Sequence, residues 1–434
     1  MKSLQERLSV VEKHVKDNDI KIMIIGLGSV GAYLLDYLIS KNDPAINVVV
    51  VGRDAEKMQT KVNITRVAGL IRGVNKSHIE VEGGVDLNDI EAIRAAVEKY
   101  QPDFIVNSSR AYPGLKYGSI SWANVRAYGI WSPLAIRFTK NVMEACDKAD
   151  TNAVVINTSY SDAVIPWLKS AGKAYPDFGS GNLNHLVPRM RFAVAEMLGV
   201  DDYWNVDIMF AAGHFHDVCI SKEGQTEGVE LPLKIYYKGE EQVGIDKDAV
   251  YKACHISMPV DQTRNMMNAS SNYQIITAVI DAIRSGENQK VFTPGFDGNI
   301  GGYPVLVGYK DGKLDAWIDE SVFSFDEMNK ADRASMALDG VEDVVDGKLI
   351  YTDALIEKAK KAFGKELPKE VKYDDIDKTA KWIIDEIILP QTAHKADPAE
   401  IRGGWKVTPE KPVITGTVRV FDSLLEKGGV RYAA

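Results

Sequence analysis

The stretch KIMIIGLGSVGAYLLDYLI, residues 21–39, constrains the fold more than any other part of the chain. Its first half is an apolar run ending in glycine, as a strand buried on both faces requires, and its second half spaces apolar residues as a helix does. Between them lies a G-x-G-x-x-G. Alone that motif is weak, because glycine-rich turns are common. Between a strand and a helix it gains a physical meaning. Gly26 permits the tight turn, Gly28 lets the backbone approach a pyrophosphate, and Gly31 lets the helix pack close to the strand. Ser29 and Val30 then open the helix whose N-terminus faces the anion. A glycine-rich turn without a ligand is the alternative.

The same alternation continues downstream. NVVVVGRD is a second Val-rich run, DLNDIEAIRAAVEKY a helix pattern that Asp86 or Asn88 can cap, and DFIVNSS and NAVVINTS two further apolar runs ending in small polar residues. Residues 20–158 are therefore expected to form a Rossmann-type doubly wound parallel α/β domain, behind a charged amphipathic helix over 1–19. From 159 to 345 the pattern changes to α+β. A helix is expected over Arg189–Gly199 and another within Ser270–Gly286. Strands are expected in VDIMFAAG, LPLKIYYKG and PVLVGYKDGKLDAWI, with hairpin turns at Lys238-Gly239 and Asp311-Gly312. Residues 346–434 carry one or two helical stretches and a Gly/Pro-punctuated tail, an extension without an assigned role.

Composition narrows the function classes. With 434 residues the chain has room for two or three domains, and its net charge of −9 disfavours a nucleic-acid binder. No apolar run approaches the roughly 20 residues of a membrane span, and the charged N-terminus does not read as a signal peptide. Three widely spaced cysteines (Cys146, Cys219 and Cys254) fit a reducing, cytoplasmic compartment and give no zinc signature.

The second strand ends in Val51-Gly52-Arg53-Asp54. A carboxylate at position 52 would bind a ribose 2′-hydroxyl and repel a 2′-phosphate. Gly52 makes room for the phosphate and Arg53 can pair with it. Such a contact is worth roughly 1.5–3 kcal/mol, or about 10- to 150-fold. NADP is the expected cofactor. NAD is the alternative, with Arg53 solvated and Asp54 on the ribose.

Over residues 20–345 the chain resembles the lactate/malate dehydrogenase family. The resemblance rests on VVVVGRDAEKMQTKV, on IVNSSRAYPGL in place of the family's mobile loop, on VVINTSYSDAV, on RMRFAVAEMLGV in place of the substrate-arginine helix, and on MFAAGHFHD in place of the catalytic-histidine segment. NASSNYQIITAVIDAI and PVLVGYKDGKLDAWIDESVFSFDEMNKA are similar to its late helix and closing hairpin. The resemblance implies a substrate domain of lactate/malate dehydrogenase type. Arg189 would clamp the substrate carboxylate, with Arg191 pointing elsewhere, and His214 would be the proton donor. His216 is the rival, because on an extended strand positions 214 and 216 face the same way. Arg110 and Lys116 (or Tyr117) correspond to the loop cations, Asn157 would lie near the nicotinamide, and Ser270 or Ser271 would line the pocket. The family's Asp partner of the histidine falls on Leu186. Asp217 or Asp177 could replace it, or His185 could have a role of its own.

These readings point to an NAD(P)-dependent oxidoreductase acting on a small anionic 2-hydroxy or 2-oxo acid. No metal, nucleic acid or membrane is expected, and the resemblance implies a homodimer or homotetramer. Two alternatives stand beside it. One is an NAD- and metal-dependent enzyme like the family 4 glycoside hydrolases, whose Cys-His metal motif is missing here. The other is a dinucleotide-binding protein without turnover.

Overall fold

The computed structural model describes residues 1–259 and 261–392. The first helix, Leu4–Lys16, opens with a reciprocal cap in which Ser3 and Glu6 satisfy each other's backbone donors. Its buried face (Leu8, Val11, Val15) is anchored by Arg7, which donates to Asp177 and, at 2.6 Å, to the Ala153 carbonyl.

Six parallel strands form the main sheet: β1 Ile20–Ile25, β2 Ile46–Val51, β3 His78–Glu82, β4 Phe104–Asn107, β5 Val154–Asn157 and β6 Phe178–Gly179. Their order is β3-β2-β1-β4-β5-β6. The order reverses between β1 and β4, which opens a crevice at the carboxyl ends of the strands, where ligands bind in such sheets. β6 lies beyond residue 158, so the sheet runs past the boundary expected from sequence. The helix after β3, Ile90–Tyr100, is capped by Asp89, not by Asp86 or Asn88. Asp89 accepts from the Glu91 and Ala92 amides, whereas Asp86 is used in a turn with the Asn88 amide.

The second region contains two antiparallel sheets. One joins Val206–Phe210, Leu233–Tyr237 and Glu240–Glu241; the other joins Gln289–Pro294, Gly302–Lys310 and Lys313–Ile318. Lys238-Gly239 and Asp311-Gly312 make the expected turns, with all four residues at positive φ, as the preferred hairpin turn demands. The helices are longer than their sequence patterns. Leu183–Leu198 begins well before Arg189, and Asn265–Ser285 begins before Ser270 and packs on the helix Ser29–Lys41.

The described part of the extension belongs to the main core. Strands Lys348–Tyr351 and Glu370–Lys372, which pair onto Val341–Val345 at the end of the second region, and helices Asp353–Phe363 and Ile376–Ile383 bury Leu349, Tyr351, Leu355 and Ile383 in one cluster with Ile105 and Val155 of the main sheet. The tail from 393 lies outside the described residues. Among the described residues no helix is long and apolar enough to cross a membrane.

Candidate active site

The glycine turn sits at the carboxyl end of β1. Gly26 has φ +88°, which an L side chain would resist. A side chain at Gly31 would strike the Gly26 carbonyl, so that glycine fixes how closely the helix approaches the strand. A Cβ at Gly28 would meet nothing within 4 Å, so the backbone there is open to a ligand. Gly28 caps the helix Ser29–Lys41 without a side chain, which leaves the first-turn amides free for an anion. Val30 is buried, and Ser29 Oγ accepts from Asn265 Nδ2 at 2.6 Å, linking this turn to the second region. These features fit a dinucleotide pyrophosphate. At the end of β2, Gly52 admits the Met58 sulfur, Arg53 is exposed, and Asp54 is engaged as the cap of Ala55–Arg72 through the Lys57 amide at 2.9 Å.

His214 stands beside the end of β5. Its Nδ1 is 2.7 Å from Asp339 Oδ2. Asp339 is fully buried and also accepts from Tyr160 Oη and the Tyr128 amide, each at 2.7 Å. The rings of Tyr128 and Tyr160 meet the imidazole edge-on, at 5.0 and 4.9 Å. With Nδ1 held, Nε2 is the nitrogen left for a ligand. Burial alone would lower the His214 pKa. The carboxylates of Asp339, Asp162 and Asp217 outweigh it and hold the group above its usual range.

The expectation that His214 and His216 share one face fails, because Gly213 ends the extended segment and His214–Glu223 is a helix. Two residues along a helix rotate the side chain by about 200°. His216 is fully buried and its Nε2 is bound to the Thr226 carbonyl at 2.9 Å, away from His214.

The other expected residues are dispersed. Arg189 is buried and donates to the carbonyls of His185 and Cys254 and to Met258 Sδ at 3.1–3.2 Å. It lines a cavity of 640 Å³ together with His185, Ser270, Ser271 and several apolar side chains. Arg191 points away, to Asp207 at 3.9 Å. Ser270 Oγ is bonded to the Met266 carbonyl, and Ser271 Oγ accepts from the Gly181 amide and Asn184 Nδ2. Arg110 folds over its own loop towards Gly114 and Tyr117, Lys116 is exposed, and Tyr117 is buried. Asn157 donates to the Ser159 carbonyl and Ser161 Oγ, both at 2.9 Å, and accepts from Thr139 Oγ1. Its polar atoms are engaged within the protein.

Four residues that the sequence did not single out complete the site. Asp339 is the carboxylate at His214 Nδ1, whereas Asp177 is tied to Arg7. Asp162, just after β5, is fully buried and accepts from Asn182 Nδ2. Arg264 lies close enough to Asp217, His185, Arg189 and Tyr128 to perturb all four, and its guanidinium has no hydrogen bond or ion pair among the described residues. Lys222 is near it, over the Trp122 ring. Among the described residues, the group of side chains spaced to hold a metal ion is Cys219, Glu223 and Glu227, where Arg126 already sits.

The profile of the NAD dependent epimerase/dehydratase family matches residues 22–195, less than half of the chain. No curated protein matches. Among solved structures, the malate dehydrogenase of Cryptosporidium parvum is 18% identical with a TM-score of 0.50, covering 74% of this chain and 98% of that one. The malate dehydrogenase from Aeropyrum pernix (15% identical, TM-score 0.49) covers 73% and 97%. The lactate dehydrogenase from Eimeria maxima (15% identical, TM-score 0.49) covers 73% and 92%. At such identities the Cryptosporidium likeness is one of fold. The chain shares with that malate dehydrogenase a Rossmann-type parallel sheet followed by an α+β region.

Proposed function

We propose that this chain is a nicotinamide-dependent oxidoreductase that interconverts a small anionic 2-hydroxy acid and its 2-oxo form, with NADP preferred over NAD. The observation that carries the reading is the His214–Asp339 pair at the carboxyl ends of the sheet that holds the glycine turn. The NAD dependence of the family whose profile matches the first domain supports the cofactor class.

A bound nicotinamide supplies the hydride acceptor or donor. Gly26, Gly28, Ser29 and Gly31 would hold the dinucleotide's pyrophosphate, and Arg53 its 2′-phosphate. The engagement of Asp54 as a helix cap favours NADP, because that carboxylate is not free for a ribose hydroxyl. His214 Nε2 takes the hydroxyl proton as the alcohol carbon is oxidised, and returns it on reduction. Asp339 fixes the imidazole with its proton on Nδ1 and stabilises the charged ring. Arg264, with Arg189 behind it, supplies positive charge for the substrate carboxylate. Arg110 and Lys116 would approach only if their loop closes.

The test is a panel of 2-oxo acids assayed with NADH and with NADPH. Nucleotide oxidation with any of them supports the reading; nucleotide binding without turnover across the panel contradicts it. Self-association belongs to the same reading and is supported by the exposed stripe of Ile64, Leu70, Ile71 and Val74. Light scattering that returns a single-chain mass contradicts that part.

A further inference from the structure

Arg189 is 4% exposed and has no ion pair among the described residues. A guanidinium carries five donors, and the three contacts this one makes are to two carbonyls and a thioether, none of them an anion. An unneutralised charge is expensive to keep in a protein interior, and burial accordingly pulls the Arg189 pKa down. The guanidinium borders the 640 Å³ cavity, whose size is that of a small-molecule site. His185 lines the same space, but burial and the charges of Arg264 and Arg189 push its pKa down to about 3. It is neutral, so Arg189 is the charged side chain of the lining.

The rest of the wall has a different chemistry. Met266 and Met267 face the cavity from the helix Asn265–Ser285, and Phe192 from the helix that carries Arg189. Ile256 and Met258 face it from the segment that Arg189 holds through the Cys254 carbonyl and the Met258 sulfur. Phe192 is 49% exposed, Met266 42% and Ile256 37%, so apolar side chains stand at the mouth and the charge lies at the floor. That order suits a ligand whose anionic end enters first and whose apolar body follows. One buried cation calls for one negative charge, and a carboxylate matches the planar fork of a guanidinium. Methionine side chains adapt to apolar bodies of varied shape. We infer that this cavity binds a monocarboxylate with a long aliphatic or aromatic body, its carboxylate on the remaining donors of Arg189 and its body between the methionines and Phe192.

Calorimetry on the full chain with butyrate, hexanoate, octanoate and the uncharged 1-hexanol tests the site. Binding should tighten by about tenfold for each two methylenes added, and hexanoate should bind at least about tenfold more tightly than 1-hexanol. Arg189→Met should bring hexanoate down to the level of 1-hexanol, and Arg189→Lys should recover part of the difference. Met266→Asp changes an exposed side chain, leaves the fold alone, and should weaken octanoate binding by about tenfold. No octanoate binding at millimolar concentration, equal binding of hexanoate and 1-hexanol, or affinity independent of chain length overturns the inference. So does a dimer, seen by light scattering, that Met266→Asp dissociates and that does not bind octanoate, because a second copy then covers the cavity. Kinetics with 2-oxo acids of the same chain lengths identify the source of the carboxylate. A kcat/KM that rises from 2-oxobutyrate to 2-oxooctanoate makes the body the substrate's own side chain; octanoate bound with the KM of the 2-oxo acid unchanged makes it a separate ligand. The site and the oxidoreductase reading fail separately. Octanoate binding without any turnover keeps the site, and turnover without octanoate binding removes only the site.

Discussion

His214 Nδ1 and Asp339 Oδ2 lie 2.7 Å apart although 125 residues separate them in the chain. Asp339 follows the helix Phe325–Leu338, and Gly340 and the strand Val341–Val345 come next. The pair therefore forms only when the end of the helix Phe325–Leu338 packs against the helix His214–Glu223, and Tyr128 and Tyr160 tie the same carboxylate to the residues around the main sheet. The carboxylate has three donors, so removing it strands the Tyr128 amide, the Tyr160 hydroxyl and the imidazole together.

Asp339→Asn should lower turnover by at least about 10²-fold, because acid-base catalysis by a positioned group contributes about that much. It should also move the pH profile. Oxidation needs neutral His214, so in the native protein it rises with pH through a midpoint above the ordinary histidine value of about 6.5. Without the charge of Asp339, burial is opposed less and the midpoint moves down. The same raised pKa favours the folded state below about pH 6.5, and that contribution fades as pH rises through the folded value. An unmoved midpoint in Asp339→Asn would show that another group titrates.

Asp217→Asn should stabilise the protein at pH 8. The native carboxyl titrates near 7, so its neutral form favours folding below the ordinary aspartate range, and this is lost as pH rises to about 7. Thermal unfolding should show the variant melting higher at pH 8, by a shift on the order of 2 °C, with the gap closing towards pH 4. A variant that melts lower at pH 8 contradicts burial as the cause of the raised Asp217 pKa.

Arg53→Ala should weaken NADPH binding by about 10-fold or more and leave NADH binding within about twofold. Equal losses for both nucleotides would remove the phosphate role of Arg53. Asp54→Ala should act mainly on stability, through the cap it provides, at about 1 kcal/mol.

The helix Gly114–Asn124, next to the loop of Arg110, is fastened to the helix His214–Glu223, which carries the proposed proton donor. Trp122 Nε1 donates to Glu223 Oε1 at 2.9 Å, and Arg126 donates to the same carboxylate while lying over the Trp122 and Phe215 rings. Glu223→Ala should raise KM more than it lowers kcat and speed amide hydrogen exchange over 114–124. Unchanged exchange there would show that the fastening does not order the loop.

Much of this was legible in the sequence, for local reasons. Gly26, Gly28 and Gly31 each answer a steric demand that a neighbouring strand and helix impose, so a short stretch of chain carried the information. The turns at Lys238-Gly239 and Asp311-Gly312 are local in the same way. The start of the helix at His214 was not legible, since Gly213 caps it without a side chain and the preceding strand pattern reads straight through. Asp339 could not be found from spacing, because its role is set by a long-range contact. Asp162 in the first turn of the helix Ser161–Ser170 and Arg264 in a single helical turn before Asn265–Ser285 look like ordinary helix-start residues, and only their long-range neighbours, His214 for the first and Asp217 for the second, mark them. The helices beyond residue 346 showed their own amphipathic pattern, but nothing in that pattern names the helix Ser132–Lys148 on which Ile376–Ile383 packs.

The central claim is that His214 moves a proton for a nicotinamide-dependent reaction in this cleft. The most direct measurement is the turnover of His214→Ala on whichever 2-oxo acid the native chain reduces, taken together with its affinity for NADPH. The account predicts a loss of at least about 10²-fold in kcat with the nucleotide dissociation constant unchanged within about twofold. Native-level turnover in His214→Ala would contradict it.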